Sequence, residues 1–349
     1  MIAKIDHLVR ENIRFLVPYS SARNEYSGSD AVLMDANENP FNHPYNRYPD
    51  PMQMALKERI SELKEIPEEM IFLGNGSDEA IDNLYRVFCE PGKDHVLSIE
   101  PTYGMYQVCA DINNIAVRKI PLNPDYSLDI SSILEAVNDH TKLIFICSPN
   151  NPTSNSFPAK DILEVVTESD ALVVLDEAYI DFSASESMLG AVMEFPNLVI
   201  LQTFSKAWGM AGIRLGMAIA QPEVMTYMNR VKYPYNVNRL TLEHALEALK
   251  QPEKKDRWVE MILNERNKLA ERLGSYPYVE EVYPSDANFL LVRVQNPTAL
   301  YDYLKSNGMI VRDRSRVPLC EGALRITVGT EQENQQLIGL LDRFSLQSQ

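Results

Sequence analysis

The feature that most constrains the fold is a series of short, uninterrupted apolar runs between residues 71 and 220. They occupy residues 96–99, 143–147, 171–175, 198–201 and 216–220. Runs of this length without polar alternation are typical of strands buried on both faces. Helical patterns at 103–112, 131–137 and 159–168 separate several of them, and this alternation predicts an α/β domain with a mostly parallel sheet. The last two runs lie too close together for a crossover helix, so we expect them to form an antiparallel pair.

The chain changes character after residue 224. The patterns there predict helices at 241–249, 256–273, 298–307 and 331–344 and strands at 289–294 and 324–328. This order is typical of a compact α+β unit. Before residue 74 the chain is rich in Asn and Pro, which predicts an arm over the surface. We therefore expect an N-terminal arm with part of a smaller domain at 1–45, a large domain at 46–245 and the C-terminal smaller domain at 246–349.

Charge and composition exclude several classes of protein. A net charge of −16 argues against a nucleic-acid partner, which needs clustered basic residues. The same charge means that an anionic substrate has to be bound by locally placed arginines. The first 18 residues lack the apolar core of a signal peptide, no stretch approaches the roughly 20 apolar residues of a membrane span, and the four cysteines have no CxxC spacing. We expect a cytoplasmic protein with reduced thiols and no membrane partner.

A lysine motif follows the apolar run at 198–201. Lys206 lies between Thr203, Ser205 and Arg214, where the predicted strand ends in a turn. A desolvated lysine amine loses its proton readily and becomes nucleophilic. Hydroxyls and an arginine are suited to hold a phosphate beside it. Together these groups suggest pyridoxal phosphate, although Ser and Lys in a polar turn are more often solvated surface.

A glycine turn precedes another predicted helix. Gly76, Ser77 and Asp78 open the helix that begins near residue 80. Small residues let backbone amides approach an anion, and the free N–H groups of a helix start favour phosphate. The alternative interpretation is a simple helix cap by Ser77 or Asp78.

Three further side chains lie at the ends of predicted strands. Asp176 follows five apolar residues. A buried charge at this position needs a cationic partner such as a pyridinium N–H. The alternative interpretations of Asp176 are a metal ligand or a helix cap. Asn151 precedes a proline and is held extended, so its amide could donate to a phenolate, or the segment is an ordinary Asn-Pro turn. Tyr103 could stack on a flat ring or pack in the core.

The order of these segments resembles that of a known family. Along the chain come a glycine turn, an aromatic residue, Asn-Pro, Asp-x-x-Tyr, Ser-Lys and an arginine eight residues later. The segments GNGSDEAI, PTYGMY, CSPNNPT, DEAYIDF and TFSKAWGMAGIRLG are similar to those of pyridoxal-phosphate aminotransferases of fold type I, and within them to histidinol-phosphate aminotransferases. The resemblance covers the chain from about residue 14 to the last helix. It implies a large cofactor-binding domain with a mixed, mostly parallel seven-stranded sheet and a smaller α+β domain.

The resemblance also implies roles for the cofactor-binding residues. Lys206 would carry the cofactor and move the proton between substrate and cofactor carbons, and Asp176 would pair with the pyridine nitrogen. Tyr179 and Asn151 would bind the phenolic oxygen, and Tyr103 would stack on the ring. The phosphate would be held by Gly76, Ser77, Asp78, Thr203, Ser205 and Arg214. Tyr48 would reach this phosphate from the neighbouring subunit, which implies a homodimer.

The substrates implied by the resemblance are L-histidinol phosphate with 2-oxoglutarate, converted to imidazole acetol phosphate and L-glutamate in histidine biosynthesis. Arg325 would bind the α-carboxylate of glutamate, and Arg312 and Tyr19 would help to receive the phosphate of histidinol phosphate. Either arginine could instead belong to a surface ion pair. An aminotransferase for aromatic amino acids and a phosphothreonine-type decarboxylase are the alternatives that share the cofactor.

Other classes of protein are less consistent with the sequence. A non-catalytic sensor would carry a DNA-binding segment, and a nucleotide-binding protein would carry a P-loop or GxGxxG, neither of which we find. All five histidines lie outside the motifs, so we expect no metal site. One departure from the family pattern is Ser154, which stands where Asn-Pro-Thr is usually followed by glycine. We expect the tight turn there to be relaxed.

Overall fold

The computed structural model describes residues 5–18 and 32–347. Its larger sheet contains β1 (Ile71–Asn75), β2 (His95–Glu100), β3 (Ala116–Pro121), β4 (Thr141–Cys147), β5 (Leu172–Asp176), β6 (Leu198–Thr203) and β7 (Leu215–Ile219). Its smaller sheet contains β8 (Val279–Val282), β9 (Phe289–Val294), β10 (Arg312–Asp313) and β11 (Ala323–Thr327). The helices are α1 (Glu11–Arg14), α2 (Met54–Lys64), α3 (Ser77–Phe88), α4 (Met105–Ile112), α5 (Ile130–Ala136), α6 (Ala159–Glu168), α7 (Pro222–Val231), α8 (Arg239–Ala248), α9 (Pro252–Gly274), α10 (Pro297–Ser306) and α11 (Glu331–Gln347).

The larger sheet has the strand order β1-β7-β6-β5-β4-β2-β3. Strands β6, β5, β4, β2 and β3 pair in parallel, and β7 pairs antiparallel with β1 and β6. Ile200 lies opposite Ile219, and Thr203 lies opposite Gly216. The predicted antiparallel pair and the predicted seven-stranded, mostly parallel sheet are therefore confirmed.

Helices cover both faces of this sheet, because its central strands are apolar on both sides. In β5, Val173 and Leu175 belong to one core cluster, while Leu172 and Val174 belong to the cluster on the other face. All five β5 residues are buried, and full burial of each of the four apolar side chains contributes about 1.5–3 kcal/mol. Asp176 is the last residue of the strand and directly follows this apolar run.

The smaller sheet has the order β10-β11-β9-β8 and is antiparallel throughout. Leu290, Val292 and Leu324 on one face pack in a core cluster with Leu337 and Leu341 of α11. On the other face, Leu291 and Ala323 belong to a core cluster of the larger sheet. Arg325 lies opposite Leu291 on this second face and bonds to Asn151, which follows β4. The second face therefore lies towards the carboxyl ends of the parallel strands.

The chain before β1 also packs on the larger sheet. Ile5, Leu8, Val9 and Ile13 are buried in the cluster that includes α3 and α7. Between residues 32 and 53 the structure has turns and bends without a helix or strand. The domain limits at residues 46 and 246 stay predictions. None of the helices in the described part of the chain has the length and apolar character of a bilayer span.

Candidate active site

One cavity opens where β4, β5 and β6 end. Its walls are formed by Gly76, Ser77, Asp78, Tyr103, Cys147, Asn151, Asp176, Ala178, Tyr179, Thr203, Ser205, Lys206, Ala211 and Arg214. Parallel strands bring their carboxyl ends to one edge of a sheet, where α/β proteins bind ligands. The structure thus brings together eleven of the twelve residues that the sequence assigned to cofactor binding; Tyr48 lies elsewhere.

Asp176 forms the floor of this cavity and is 3% exposed. Its Oδ2 accepts a hydrogen bond of 2.7 Å from the Tyr106 hydroxyl, and its Oδ1 accepts one of 3.1 Å from the Ala178 backbone N–H. Burial raises the pKa of Asp176 to about 6, and the Tyr106 hydrogen bond opposes that rise. No lysine or arginine in the described residues forms a salt bridge with this carboxylate. A buried carboxylate without a cation is costly, so the site fits a ligand with a protonated ring nitrogen.

Lys206 lies across the cavity in the turn after β6. Its Nζ is 5.3 Å from the centre of the Tyr179 ring. Burial lowers the pKa of Lys206, and the positive charge of Arg325 lowers it further. Both effects favour the neutral amine, which is the nucleophilic form.

A cradle for an anion is built around the start of α3. Gly76 is the N-cap residue with φ +75°, and no side chain caps this helix, so the alternative of a cap by Ser77 or Asp78 is wrong. A Cβ on Gly76 would lie 2.7 Å from Nη2 of Arg214, and one on Gly216 would lie 2.2 Å from the Ser77 nitrogen. The two glycines therefore allow the Arg214 guanidinium and β7 to approach the first turn of α3. The free N–H groups of that turn favour the binding of a phosphate.

Polar contacts hold the rest of the cradle in place. Arg214 Nη2 lies 3.3 Å from Oδ2 of Asp78, and the Tyr103 hydroxyl donates a 3.1 Å hydrogen bond to Oδ1 of Asp78. The Ser205 backbone N–H donates to the Thr203 hydroxyl at 3.1 Å. Tyr103 comes just before α4, which begins at Met105, so the prediction that Tyr103 starts the helix is wrong by two residues.

Asn151 connects the cavity to the smaller sheet. Its Nδ2 lies 3.5 Å from the Tyr179 hydroxyl, and its Oδ1 accepts a short hydrogen bond from Arg325 Nη1. Arg325 also lies 5.3 Å from the centre of the Phe289 ring. Burial lowers the pKa of Arg325, and its charge is felt at Lys206. Arg325 therefore faces the cavity from β11.

Two of the remaining predicted residues, Arg312 and Tyr48, are not among the cavity wall residues. Arg312 is directly opposite Arg325 in the pairing of β10 with β11 and is exposed. Tyr48 is 51% exposed and stacks on Tyr235 with ring centres 4.4 Å apart. Tyr19 lies outside the described residues.

Sequence reasoning missed Tyr106, which contacts Asp176 directly, and the wall residues Cys147, Ala178 and Ala211. A signal for Tyr106 was available, because it follows Tyr103 by three residues at the start of a helix.

The described residues contain no group of three or more His, Cys, Asp or Glu side chains that could hold a metal ion.

With the geometry established, comparison with known proteins assigns the family. The profile of the family described as aminotransferase class I and II matches residues 22–341. The chain belongs to this family. It is therefore a transaminase that depends on pyridoxal phosphate, which confirms the predicted enzyme class and cofactor and contradicts the nucleotide-binding alternative.

Two curated relatives match this aminotransferase over nearly its whole length. The histidinol-phosphate aminotransferase of Parabacteroides distasonis is 52% identical over 339 residues, which cover 97% of this chain and 98% of that protein. The histidinol-phosphate aminotransferase of Bacteroides fragilis is 51% identical over 341 residues, which cover 97% and 99%.

Solved structures share the fold. The histidinol-phosphate aminotransferase of Clostridium acetobutylicum has a TM-score of 0.80 at 24% identity and covers 87% of this chain and 92% of its own. The enzyme of Sinorhizobium meliloti, in complex with pyridoxal-5'-phosphate, has a TM-score of 0.78 at 22% identity, covering 87% and 84%. The L-threonine-O-3-phosphate decarboxylase of Porphyromonas gingivalis has a TM-score of 0.74 at 26% identity, covering 86% and 91%. The predicted fold type I architecture is confirmed.

Proposed function

We propose that this aminotransferase moves an amino group between L-histidinol phosphate with 2-oxoglutarate and imidazole acetol phosphate with L-glutamate, in histidine biosynthesis. The observation that carries the proposal is the 52% identity, over 97% of the chain, to a relative of that name. The arginines on the smaller sheet support it, because histidinol phosphate has no carboxylate and its phosphate has to be bound by guanidinium groups.

The cavity residues suit the cofactor chemically. When bound, pyridoxal phosphate acts as an electron sink for the charge that develops at the donor Cα. The Asp176 carboxylate would pair with the ring nitrogen, which would offset the cost of its burial. Tyr179 and Asn151 would bind the ring oxygen, and Tyr103 would cover the ring face.

Lys206 performs the proton transfer in this proposal. Its amine would hold the cofactor covalently at rest, and its Nζ would take the proton from the donor Cα and return it to the cofactor carbon. Burial lowers the pKa of Lys206, which favours the unprotonated Nζ that this step needs. The phosphate is held by the N–H groups and side chains of the anion cradle, namely Gly76, Ser77, Asp78, Thr203, Ser205 and Arg214.

On the substrate side, Arg325 binds the α-carboxylate of glutamate, and Arg312 and Tyr19 assist with the phosphate of histidinol phosphate. The enzyme is a cytoplasmic homodimer in this proposal, and Tyr48 of each subunit reaches the phosphate in the other. Support comes from the exposed apolar surface around Tyr48, where Leu240 is 60% exposed and lines the same groove. Such patches commonly mark interfaces.

A phosphothreonine-type decarboxylase is the second candidate, because one of the solved structures with this fold has that activity in its name and is 26% identical. An aromatic aminotransferase is the third. All three use the same cofactor chemistry, so only the donor and the product distinguish them.

The test is an absorption titration of the holoenzyme with each donor. L-histidinol phosphate should bleach the visible band of the lysine-bound cofactor and yield imidazole acetol phosphate, whereas phosphothreonine should release no CO₂. Lys206→Ala should lose turnover by several orders of magnitude. CO₂ release, or bleaching by phenylalanine but not by histidinol phosphate, would refute the proposed substrate.

A further inference from the structure

The face of the smaller sheet that lies towards the cavity carries an unusual set of arginines. Arg312 is directly opposite Arg325 in the register of β10 and β11. The Arg314 backbone N–H donates to the Ala323 carbonyl at 2.9 Å, which extends the same ladder by one position beyond Leu324. Because side chains alternate along a strand, Arg312, Arg314 and Arg325 share one face, and Leu324 lies on the other.

In the part of the chain that the structure describes, none of these three arginines forms a salt bridge with a carboxylate. A fourth arginine on the same face, Arg293, does form salt bridges. Its Nη2 lies 2.6 Å from Oε2 of Glu281, and its Nε lies 3.4 Å from Oε2 of Glu280. Like charges directly across a strand pair destabilise a sheet. An arrangement with this cost is expected where an anionic ligand supplies the missing negative charge.

The acidic side chains nearest in sequence are engaged elsewhere. The Asp313 carboxylate accepts hydrogen bonds from the Ser315 backbone N–H at 2.8 Å and from its hydroxyl at 2.6 Å. The Glu321 carboxylate accepts one from the Leu319 backbone N–H at 3.2 Å. Neither bonds to the guanidinium of Arg314.

Arg314 lies on the same face of the sheet as Arg325, which bonds to the cavity residue Asn151. The Nε of Arg314 is buried and has no hydrogen-bond partner among the described residues. Burial raises the pKa of Tyr179, a cavity wall residue, and the charges of Arg325 and Arg314 oppose that rise. Burial also lowers the pKa of Arg314, and the neighbouring positive charges of Arg325 and Arg312 lower it further.

We propose that Arg314 is a third phosphate-binding arginine, which with Arg312 and Arg325 selects donors that carry a phosphate monoester over donors that carry only a carboxylate. This inference rests on the proposed function and extends it to a residue that was assigned no role.

The chemistry of the two donor types explains the selection. A phosphate monoester carries close to two negative charges at neutral pH and three acceptor oxygens, whereas a carboxylate carries one charge that a single guanidinium fork can satisfy. Arg325 already gives one of its donors to Asn151, so further donors are needed for the remaining phosphate oxygens. The net charge of −16 provides no general attraction for a dianion, which makes local arginines decisive.

The experiment compares Arg314→Gln with Arg316→Gln in the holoenzyme. Arg316 is exposed in the same loop, so its replacement removes the same charge without touching the cavity. Half-reactions with L-histidinol phosphate and with L-glutamate are followed separately. Arg314→Gln should weaken the apparent affinity for histidinol phosphate by about 10- to 100-fold, as expected for loss of charge-assisted hydrogen bonds. Arg316→Gln, and Arg314→Gln with glutamate, should stay within about threefold of the wild type.

A second readout does not need turnover. Inorganic phosphate is titrated calorimetrically into each holoenzyme at constant ionic strength, where the bound cofactor already fills the cradle at α3. Arg314→Gln should weaken this binding, and Arg316→Gln should not. Unchanged histidinol phosphate and phosphate binding in Arg314→Gln, or an equal loss for both donors, would overturn the inference. If the wild type fails to use histidinol phosphate but phosphate binding still depends on Arg314, the proposed function fails while the three-arginine site stands.

Discussion

The Tyr106 hydroxyl donates a 2.7 Å hydrogen bond to the Oδ2 of Asp176. Both residues are almost completely buried, with exposures of 1% and 3%. Burial alone favours the protonated carboxyl, and the tyrosine opposes it by stabilising the anion. The hydrogen bond therefore favours a charged carboxylate below the cavity, as the proposed pairing of Asp176 with the ring nitrogen of the cofactor requires.

Replacing Tyr106 should weaken cofactor binding. In Tyr106→Phe the Asp176 carboxylate loses a charge-assisted hydrogen bond, its pKa rises further, and the affinity of the apoenzyme for pyridoxal phosphate should fall by roughly 10-fold. Tyr85→Phe is the matched control, because it removes a buried hydroxyl that donates to the Tyr106 backbone carbonyl at 2.9 Å. Equal dissociation constants for the two variants would contradict this role of Tyr106.

The raised pKa of Asp176 predicts a pH-dependent stability of the apoenzyme. The folded state holds the proton up to about pH 6, whereas an unfolded Asp releases it near pH 3.9. The favourable contribution of this group is thus fully present below pH 3.9 and is lost as the pH rises through about 6, by about 3 kcal/mol in total.

Asp176→Asn does not titrate, which provides the comparison. The free energy of unfolding of the variant, minus that of the wild type, should increase between about pH 4 and pH 6 and level off above that range. Urea denaturation of the two apoproteins at several pH values measures it. A difference that does not change with pH would show that Asp176 has an ordinary pKa.

Gly216 should tolerate no side chain. The new Cβ in Gly216→Ala would lie 2.2 Å from the Ser77 nitrogen, and β7 is paired on both edges, so the first turn of α3 has to move. We expect a loss of about 1–3 kcal/mol of stability or more, together with weaker cofactor binding. Gly212→Ala is the control, since no atom lies within 4 Å of its added Cβ. Similar denaturation midpoints and cofactor affinities for the two variants would be inconsistent with the cradle described here.

Ser154 keeps the turn that glycine usually forms in the family. Its φ is +66°, so the expectation of a relaxed turn is wrong. Its hydroxyl lies 2.6 Å from the Thr153 carbonyl oxygen and 3.1 Å from that of Pro284, and its backbone carbonyl accepts from the Asp286 N–H at 2.7 Å. The serine thus ties the Asn151 loop to the smaller domain.

The two opposing effects at Ser154 can be separated by two substitutions. Ser154→Ala loses the hydrogen bond and keeps the left-handed strain, so it should cost about 1 kcal/mol. Ser154→Gly loses the same bond but relieves strain of roughly 1–2 kcal/mol, so its stability should stay near that of the wild type. Chemical denaturation gives both values. If Ser154→Gly proves less stable than Ser154→Ala, the backbone strain at residue 154 is negligible.

The sequence predicted those parts of the fold in which burial leaves a local signal. Strands such as β4 and β5 are apolar throughout, so their runs are unambiguous. The edge strand β3 was not predicted, because only Ile120 is buried there and the strand contains Arg118 and Lys119. The two-residue strand β10 is too short to leave a pattern.

The same distinction applies to the site. Motif order along the chain was sufficient to place Lys206, Asp176 and their neighbours in one cavity. The Tyr106 contact depends on how α4 packs against the sheet, and the position of Arg314 depends on the register between β10 and β11. Neither arrangement is visible in local sequence.

The central claim is that Lys206 carries the cofactor in this cavity, and chemical trapping tests it most directly. The holoenzyme is reduced with borohydride, digested and analysed by mass spectrometry. Lys57 and Lys232 are internal controls, because burial lowers the pKa of each amine to about 8. One reduced pyridoxyl phosphate group on the peptide that contains Lys206, and its absence from Lys206→Ala, is the predicted result. A group on another lysine, or none on any peptide of the cofactor-saturated wild type, would contradict the account.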